Sequence, residues 1–172
     1  MRHKRSAVDS FIGFPFIGLM SEIPSDWLVQ ARKMMGQTPY FASIGAEILE
    51  ARDAMARARV PYGPQLVGDP DTGVVHGGVI TALLDHLGGA SVMAALKAPM
   101  PMATLDLRID YMKPAVPGED IHGEARCLKV THEIAFVRGS AYQADANDPI
   151  AVCTATFILL RGGAPLPYTT KD

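Results

Sequence analysis

The sequence predicts an α+β domain in which an antiparallel β-sheet curls over a single buried α-helix. Residues 78–96 form the clearest helical segment, and apolar residues cover every side of it, as is typical of a buried helix. The strand-like segments that follow have short connections, which force the strands to pair antiparallel. A sheet with one buried face needs a cover, and this helix is the only large candidate.

The clearest strand covers residues 103–112, where apolar and polar residues alternate with the period of a half-buried strand. Its apolar positions are Leu105, Leu107, Ile109 and Tyr111. Three further strands are predicted, at about 121–130, 134–144 and 150–160. The last two flank a turn rich in Asp, Asn and Pro, which predicts a hairpin.

Residues 46–60 are ambiguous as to secondary structure. Their alanine, glutamate, arginine and methionine content favours a helix. From residue 54 to residue 60, however, small apolar residues occupy every second position, which is the period of a strand. Local pattern alone leaves both assignments open.

Length and composition restrict the class of protein. A chain of 172 residues predicts one domain, and 48% hydrophobic with 20% charged residues is ordinary for a globular protein. A formal charge of −2 argues against a general affinity for nucleic acid, because neutralising phosphates needs a basic surface. Cys127 and Cys153 lie in apolar runs, so we expect reduced core thiols and a cytoplasmic protein.

We divide the chain into an arm with a short helix (1–40), a globular domain (41–161) and a tail (162–172). The short helix is expected to follow Ser25 and Asp26 and to stop near Gly36. The basic N-terminus and the apolar run after it imitate a secretion signal. That run contains a proline and two glycines and lacks a small-residue cleavage site, so we expect no secretion. The charge and the glycine pairs within residues 74–96 likewise argue against a membrane-spanning helix.

Asp85 is the one carboxylate within the apolar helical segment. Burying an ionised carboxylate costs several kcal/mol unless partners compensate, so such a residue is either a satisfied structural anion or a working group. Both readings stay open from position alone. His86 points about 100° away from Asp85 on the helix and is better explained as a structural or interface histidine.

Gly77 and Gly78 lie at the predicted start of the helix, where the first N–H groups lack helical partners and the helix dipole is positive. Glycine lets a ligand approach the backbone closely, so this junction suits an oxyanion or another anion. A glycine pair there can also serve only the turn.

The spacing between Gly77 and Asp85 predicts an obligate dimer. Eight residues of helix separate them by about 12 Å, too far for one carbonyl group to touch both. If they cooperate, Asp85 must act with Gly77 of a second copy across a two-fold axis. We expect Gly88 and Gly89 to let the two helices approach closely.

The segment His76-Gly77-Gly78, followed by Leu83-Leu84-Asp85, resembles the HGG-x₄-L-x-D signature of hotdog-fold acyl-CoA thioesterases of the phenylacetate-pathway (PaaI) type. The run from Thr104 to Pro114 is similar to the second conserved block of that family. Gly118-Glu119-Asp120 and Ile134-Ala135-Phe136 continue this likeness. The resemblance covers roughly residues 40–160.

The resemblance implies a hotdog fold, in which a curved antiparallel sheet wraps around a central helix, for a thioesterase domain over residues 41–161. It also implies that residues 46–60 are strand. The implied reaction is hydrolysis of an acyl-CoA thioester by a homodimer, often a dimer of dimers, with no cofactor beyond the CoA of the substrate. The five histidines show no metal-ligand spacing, so we expect no metal either. We expect no nucleic-acid or membrane partner.

The resemblance also implies roles for individual residues. The Gly77 N–H would polarise the carbonyl, and Asp85 of the partner chain would act as nucleophile or as general base. Thr104 matches a hydroxyl residue that places the water in some relatives, although a polar residue on the sheet surface is an equal alternative. His76 would orient the loop and the helix start.

Other predicted contacts concern the substrate. Gly78 and Leu84 would line the site, and the acyl slot would also include Leu87 and Met93. Where some relatives carry Asn or Gln near the site water, this chain has Pro70, and Gln65 could substitute if the loop folds back. The candidate cations for the CoA phosphates are Lys113, Arg138, Lys129 and Arg108. The run 11–20 is expected to pack on the dimer or to cap the acyl pocket.

Two other functions compete with hydrolysis. A hotdog-fold enoyl-CoA hydratase or dehydratase would use an Asp and a His five residues apart, as Asp71 and His76 are, but would leave Asp85 unexplained. A non-catalytic acyl-CoA-binding protein would tolerate loss of the Asp85 carboxylate.

Overall fold

The computed structural model describes residues 38–161 together with Val29, Lys33 and Met34. Within residues 38–161 the helices are α1 (Pro39–Ser43) and α2 (Gly77–Leu96), and a short 3-10 turn spans Pro64–Leu66. The strands are β1 (Glu47–Arg52), β2 (Met55–Val60), β3 (Val67–Asp69), β4 (Val74–Val75), β5 (Met102–Tyr111), β6 (Ile121–Val130), β7 (Ile134–Tyr142) and β8 (Ala151–Leu159).

Most of the predicted arm, including the apolar run 11–20, lies outside the described residues, as does the tail 162–172. Of the short helix predicted after Ser25, the structure describes Val29, Lys33 and Met34, and all three are helical.

Six strands form one antiparallel sheet in the order β1-β2-β6-β7-β8-β5, and α2 contacts every one of them. Six strands side by side span about 24 Å, whereas a helix with its side chains is only about 10–12 Å wide. The sheet must therefore curl around the helix to reach it with both edges. The predicted α+β architecture with one central helix is confirmed.

Helix α2 has half of its 20 residues buried, which explains why its sequence is apolar on every side. His76 is its N-cap, and Lys97, with a left-handed φ of 54°, ends it. By length and composition alone α2 could cross a membrane, and it is the one such helix among the described residues. Here it is the core helix of the sheet.

Two glycines set the distance between α2 and the sheet. A Cβ added at Gly123 of β6 would lie 2.6 Å from Leu87, and one added at Gly88 would lie 2.7 Å from Phe157 of β8. Real Cβ atoms essentially never come so close, so both glycines are needed for this packing. Gly88 thus faces the chain's own sheet, which corrects the expectation that it serves contact with a second helix.

Residues 46–60 form two strands joined by a tight turn, so the implied strand assignment is confirmed. Asp53 and Ala54 take left-handed φ values of 50° and 60°, the conformation that two-residue hairpin turns require. Buried alternate residues of β2 pack towards α2. Burial against the helix therefore outweighs the helical propensity of the segment.

Three β-bulges interrupt the alternation of the sheet, at Leu49, Leu105 and Leu128. In each case the leucine is the extra residue, and the three residues are 39%, 56% and 54% exposed, respectively. Leu105 was expected at an apolar position of the strand in line with Leu107. The bulge turns Leu105 outward instead and resets the alternation after it.

Cys127 and Cys153 are free and buried, as predicted for core residues. Burial raises the pKa of the Cys153 thiol to about 11 and also raises that of Cys127. Both thiols are therefore protonated and unreactive at neutral pH. Among the described residues, no three His, Cys, Asp or Glu side chains come together as a metal site.

Candidate active site

Asp85 lies where two cavities meet on the side of α2. The first, which we call the methionine cavity, has a volume of about 490 Å³ and is lined by Met34, Met93, Met100 and Met102. The second, the hydroxyl cavity, has a volume of about 620 Å³ and is lined by Tyr40, Thr81 and Thr104. Both volumes lie in the range of ligand pockets, roughly 300–1,000 Å³.

Strand β5 supplies the hydrogen-bond partner of Asp85. The Thr104 hydroxyl donates to the Asp85 Oδ1 atom over 2.8 Å. Thr104 pairs with the buried Phe157, so it lies on the side of the sheet that faces α2 rather than on the outer surface. This hydrogen bond fixes the orientation of the Asp85 carboxylate beside the apolar helix.

The start of α2 presents an unused backbone donor. The Nδ1 atom of His76 accepts a hydrogen bond from the Gly78 N–H over 2.9 Å, and the His76 N–H is bound by the Leu66 carbonyl. Within the described part of the chain, no group accepts a hydrogen bond from the Gly77 N–H. The expected orienting contact of His76 is therefore present, and it satisfies Gly78 while leaving the Gly77 donor available.

Two hydroxyl groups hold the other side of Gly77. The Tyr111 hydroxyl, at the end of β5, donates to the Gly77 carbonyl over 2.8 Å. The Thr81 hydroxyl donates to the same carbonyl over 3.2 Å and lies 2.8 Å from the Tyr111 oxygen. Neither Thr81 nor Tyr111 was predicted to lie at the site, because no short motif links Gly77 to a tyrosine 34 positions away.

His86 forms part of the wall of both cavities. Its ring stacks on Phe41 of α1 with the ring centroids 4.0 Å apart, and its buried Nε2 atom has no hydrogen-bond partner. Burial lowers the pKa of His86, and the charge of Asp85 opposes this shift only in part. The neutral imidazole thus behaves as an aromatic wall, in line with the structural role expected for it.

Several predicted substrate residues lie away from both cavities. Leu84 and Leu87 are buried in the core between helix and sheet, at 1% and 0% exposure. Met93 does line the methionine cavity, and Gly78 lines the hydroxyl cavity. Of the residues predicted to line the acyl slot, only Met93 therefore lines a cavity.

Gln65 is exposed on the 3-10 turn. The loop does fold back, because β3 pairs with β4 and Leu66 bonds to His76. The Gln65 side chain nevertheless lies over Gly63, where an added Cβ would come within 2.6 Å of its amide.

The predicted phosphate-binding cations are also absent from the lining of both cavities. Lys113 forms an ion pair with Asp148, and Arg108 forms one with Asp110. Arg138 is exposed on the outer side of the sheet, opposite Arg126. Asp71, the acid of the hydratase alternative, is exposed in the turn between β3 and β4, so no contact favours that alternative.

A six-stranded antiparallel sheet wrapped around one long helix, with the N-terminus of that helix open to a ligand, defines a hotdog-fold protein. The chain belongs to the thioesterase superfamily, whose family model matches residues 72–150. A crystal structure of a Pseudomonas aeruginosa protein is 39% identical and superimposes with a TM-score of 0.70 over 77% of this chain and 98% of that chain.

Curated relatives agree with this assignment. The medium/long-chain acyl-CoA thioesterase YigI of Escherichia coli is 26% identical over 148 residues, which is 76% of this chain and 94% of that protein. A Halobacterium salinarum protein whose name assigns it provisionally to the esterases is 39% identical over 75 residues, or 42% of this chain. The alignment spans half of that protein's length.

The Escherichia coli PaaI protein, from the phenylacetic acid degradation operon, has the same fold. Its structure superimposes with a TM-score of 0.69 over 81% of this chain and 96% of that chain. The two sequences are 13% identical, so this likeness concerns the fold alone.

Proposed function

We propose that this protein hydrolyses acyl-CoA thioesters to the free acid and CoA. The observation that carries the proposal is the position of Asp85, a carboxylate on an apolar helix, held by Thr104 where two cavities meet. Membership in the thioesterase superfamily supports the reaction, and the name of YigI supports medium- or long-chain acyl groups as substrates.

The proposed site combines two copies of the chain. Asp85 and Gly77 are about 12 Å apart along α2, so one thioester cannot contact both groups of one chain. A homodimer that brings Gly77 of one protomer to Asp85 of the other contains two such sites. The exposed edge of the sheet at β5, with Leu105, Tyr111 and Met112 each more than half exposed, supports pairing along this edge. Two such dimers would form the proposed tetramer.

The chemistry follows from the two groups. The Gly77 N–H donates a hydrogen bond to the thioester oxygen and stabilises the negative charge that develops there. As general base, Asp85 takes a proton from water, whose oxygen bonds to the acyl carbon, and the C–S bond then breaks as the sulfur leaves and is protonated. As nucleophile, an Asp85 oxygen bonds to that carbon while the C–S bond breaks and CoA leaves as the thiolate, which is then protonated. Water cleaves the resulting anhydride, which releases the acid and restores the Asp85 carboxylate.

Replacing the carboxylate tests the proposal. We expect Asp85→Asn and Asp85→Ala to lower kcat on decanoyl-CoA by roughly 10²–10⁴-fold, the usual contribution of a general base. Asp106→Asn, which removes an exposed carboxylate of β5, is the matched control and should keep full turnover. Full turnover of every hydrolysed thioester by both Asp85 variants would rule out the proposed role.

Labelled water separates the two roles of Asp85. A single turnover in ¹⁸O-water places label only in the product acid if Asp85 is a general base. Appearance of ¹⁸O in the Asp85 side chain, measured by mass spectrometry of the peptide, would establish the covalent route.

A further inference from the structure

The lining of the methionine cavity changes in character along its length. Three of its lining residues are polar, namely Thr38, Asp85 and His86, and the same three also line the hydroxyl cavity. The polar groups thus lie where the two cavities meet. Away from that junction the wall consists of methionine, proline, phenylalanine and glycine.

We propose that the methionine cavity binds the hydrocarbon chain of the acyl group and that its depth sets the preferred chain length. This inference rests on the proposed function, since it assigns one part of the same substrate. A ligand that fits the cavity must be polar at one end, beside Asp85, and apolar along the rest. A thioester joined to an alkyl chain has this distribution.

The hydroxyl cavity has the complementary composition. Tyr40, Thr81 and Thr104 bring three hydroxyl groups to its wall, and Gly78 brings backbone from the start of α2. These groups suit the amide-bearing arm of CoA, which needs hydrogen-bond partners that the methionine cavity lacks. The thioester then lies at the junction, within reach of Asp85.

Methionine gives the cavity an adaptable wall. Its unbranched side chain has three rotatable bonds and a polarisable sulfur, so it fits apolar ligands of differing shape. Four methionines around one cavity therefore favour a flexible alkyl chain, and they favour tolerance of neighbouring chain lengths over selection of a single one. The volume of about 490 Å³ is ample for such a chain.

Gly89 offers a way to shorten the cavity without disturbing the core. A Cβ added there would lie 3.7 Å from the Met102 sulfur, which is ordinary contact, whereas one added at the neighbouring Gly88 would clash with Phe157 at 2.7 Å. Gly89→Ala also raises helix propensity. Gly89→Leu should therefore fold and fill part of the cavity.

The experiment compares kcat/KM for acetyl-, hexanoyl-, decanoyl- and palmitoyl-CoA across variants. For Gly89→Leu we expect a loss of roughly 10-fold or more on the longer chains relative to acetyl-CoA, with a smaller loss for Gly89→Ala. Met93→Ala should shift the preference towards longer chains. Ala146→Leu, which introduces the same side chain in an exposed turn, should leave the profile unchanged.

Two results separate failure of this inference from failure of the proposed function. If the wild type hydrolyses acyl-CoA but Gly89→Leu and Met93→Ala leave the chain-length profile unchanged, the assignment of the cavity is wrong. If the wild type hydrolyses none of the four, the proposed function fails. Calorimetric binding of decyl-CoA, a thioether that cannot be hydrolysed, then tests the cavity by itself: weaker binding to Gly89→Leu supports the assignment, and equal binding overturns it.

Discussion

Strands β5 and β6 are equally long, with ten residues and one β-bulge each, yet they contribute to different properties of the molecule. β6 lies inside the sheet, alternates buried and exposed residues, and receives α2 against Gly123. β5 lies at the edge and has no fully buried residue, but its hydroxyl groups hold both Asp85 and Gly77. The interior strand stabilises the fold, and the edge strand arranges the site.

The largest effect on stability is expected from β6. Gly123→Val places a branched side chain where even a Cβ would lie 2.6 Å from Leu87, a residue that is itself fully buried. Overpacking of this kind lowers the free energy of unfolding by about 1–3 kcal/mol. Chemical denaturation measures the loss, with Arg126→Ala on the exposed side of the same strand as control. If Gly123→Val had the same denaturation midpoint as the wild type, the stabilising role assigned to β6 would be wrong.

A change in β5 should affect activity with little effect on stability. Thr104→Val keeps the shape of the side chain and removes the hydroxyl group that binds Asp85. Because the Thr104 hydroxyl positions the Asp85 carboxylate, its loss should lower kcat by roughly 10- to 100-fold. The melting temperature should change little, because this hydrogen bond is exposed to solvent. Thr104→Ser restores the hydroxyl and should recover most of the activity. If Thr104→Val lowered the melting temperature but kept its kcat, Thr104 would stabilise the fold, as β6 does, rather than arrange the site.

The smallest effect on stability is expected from a change in pH. It concerns His86, which lies at the contact between α1 and α2. Burial lowers the pKa of His86 below its ordinary value of 6.5, so the unfolded chain binds a proton more readily than the native one. The contribution to stability is complete above pH 6.5 and is lost as the pH falls from there through the lowered pKa. His86→Phe should give a melting temperature that changes less between pH 7 and pH 5 than that of the wild type. If the melting temperatures of the two proteins changed equally with pH, His86 would not be the cause of the pH dependence.

The elements of the fold could be predicted from the sequence because apolar residues occupy their buried positions. An apolar run with no polar side indicates a buried helix, and the strands after residue 100 lie within two residues of their expected bounds. The bulge at Leu105 could not be predicted, because an extra residue in a strand carries no marker of its own. This one bulge decides that Thr104 faces Asp85.

Within the site, Asp85 could be found because a carboxylate contrasts with its apolar surroundings. Leu84 was predicted to contact the substrate, but it is buried in the core and lines neither cavity. The uniformly apolar character that identified α2 is also the reason for this difference. A helix that is apolar on every side does not indicate which side meets the core and which meets a ligand. The Tyr111 contact with Gly77 joins residues far apart in sequence, so only the folded chain reveals it.

The bulge at Leu105 also has a consequence for the length of β5. Thr104 and Tyr111 are seven positions apart, an odd number, so in a regular strand their side chains would point to opposite sides of the sheet. The extra residue between them changes this parity and lets both reach α2. A one-residue insertion or deletion here would turn one hydroxyl away from the helix, so this stretch can change in composition far more freely than in length.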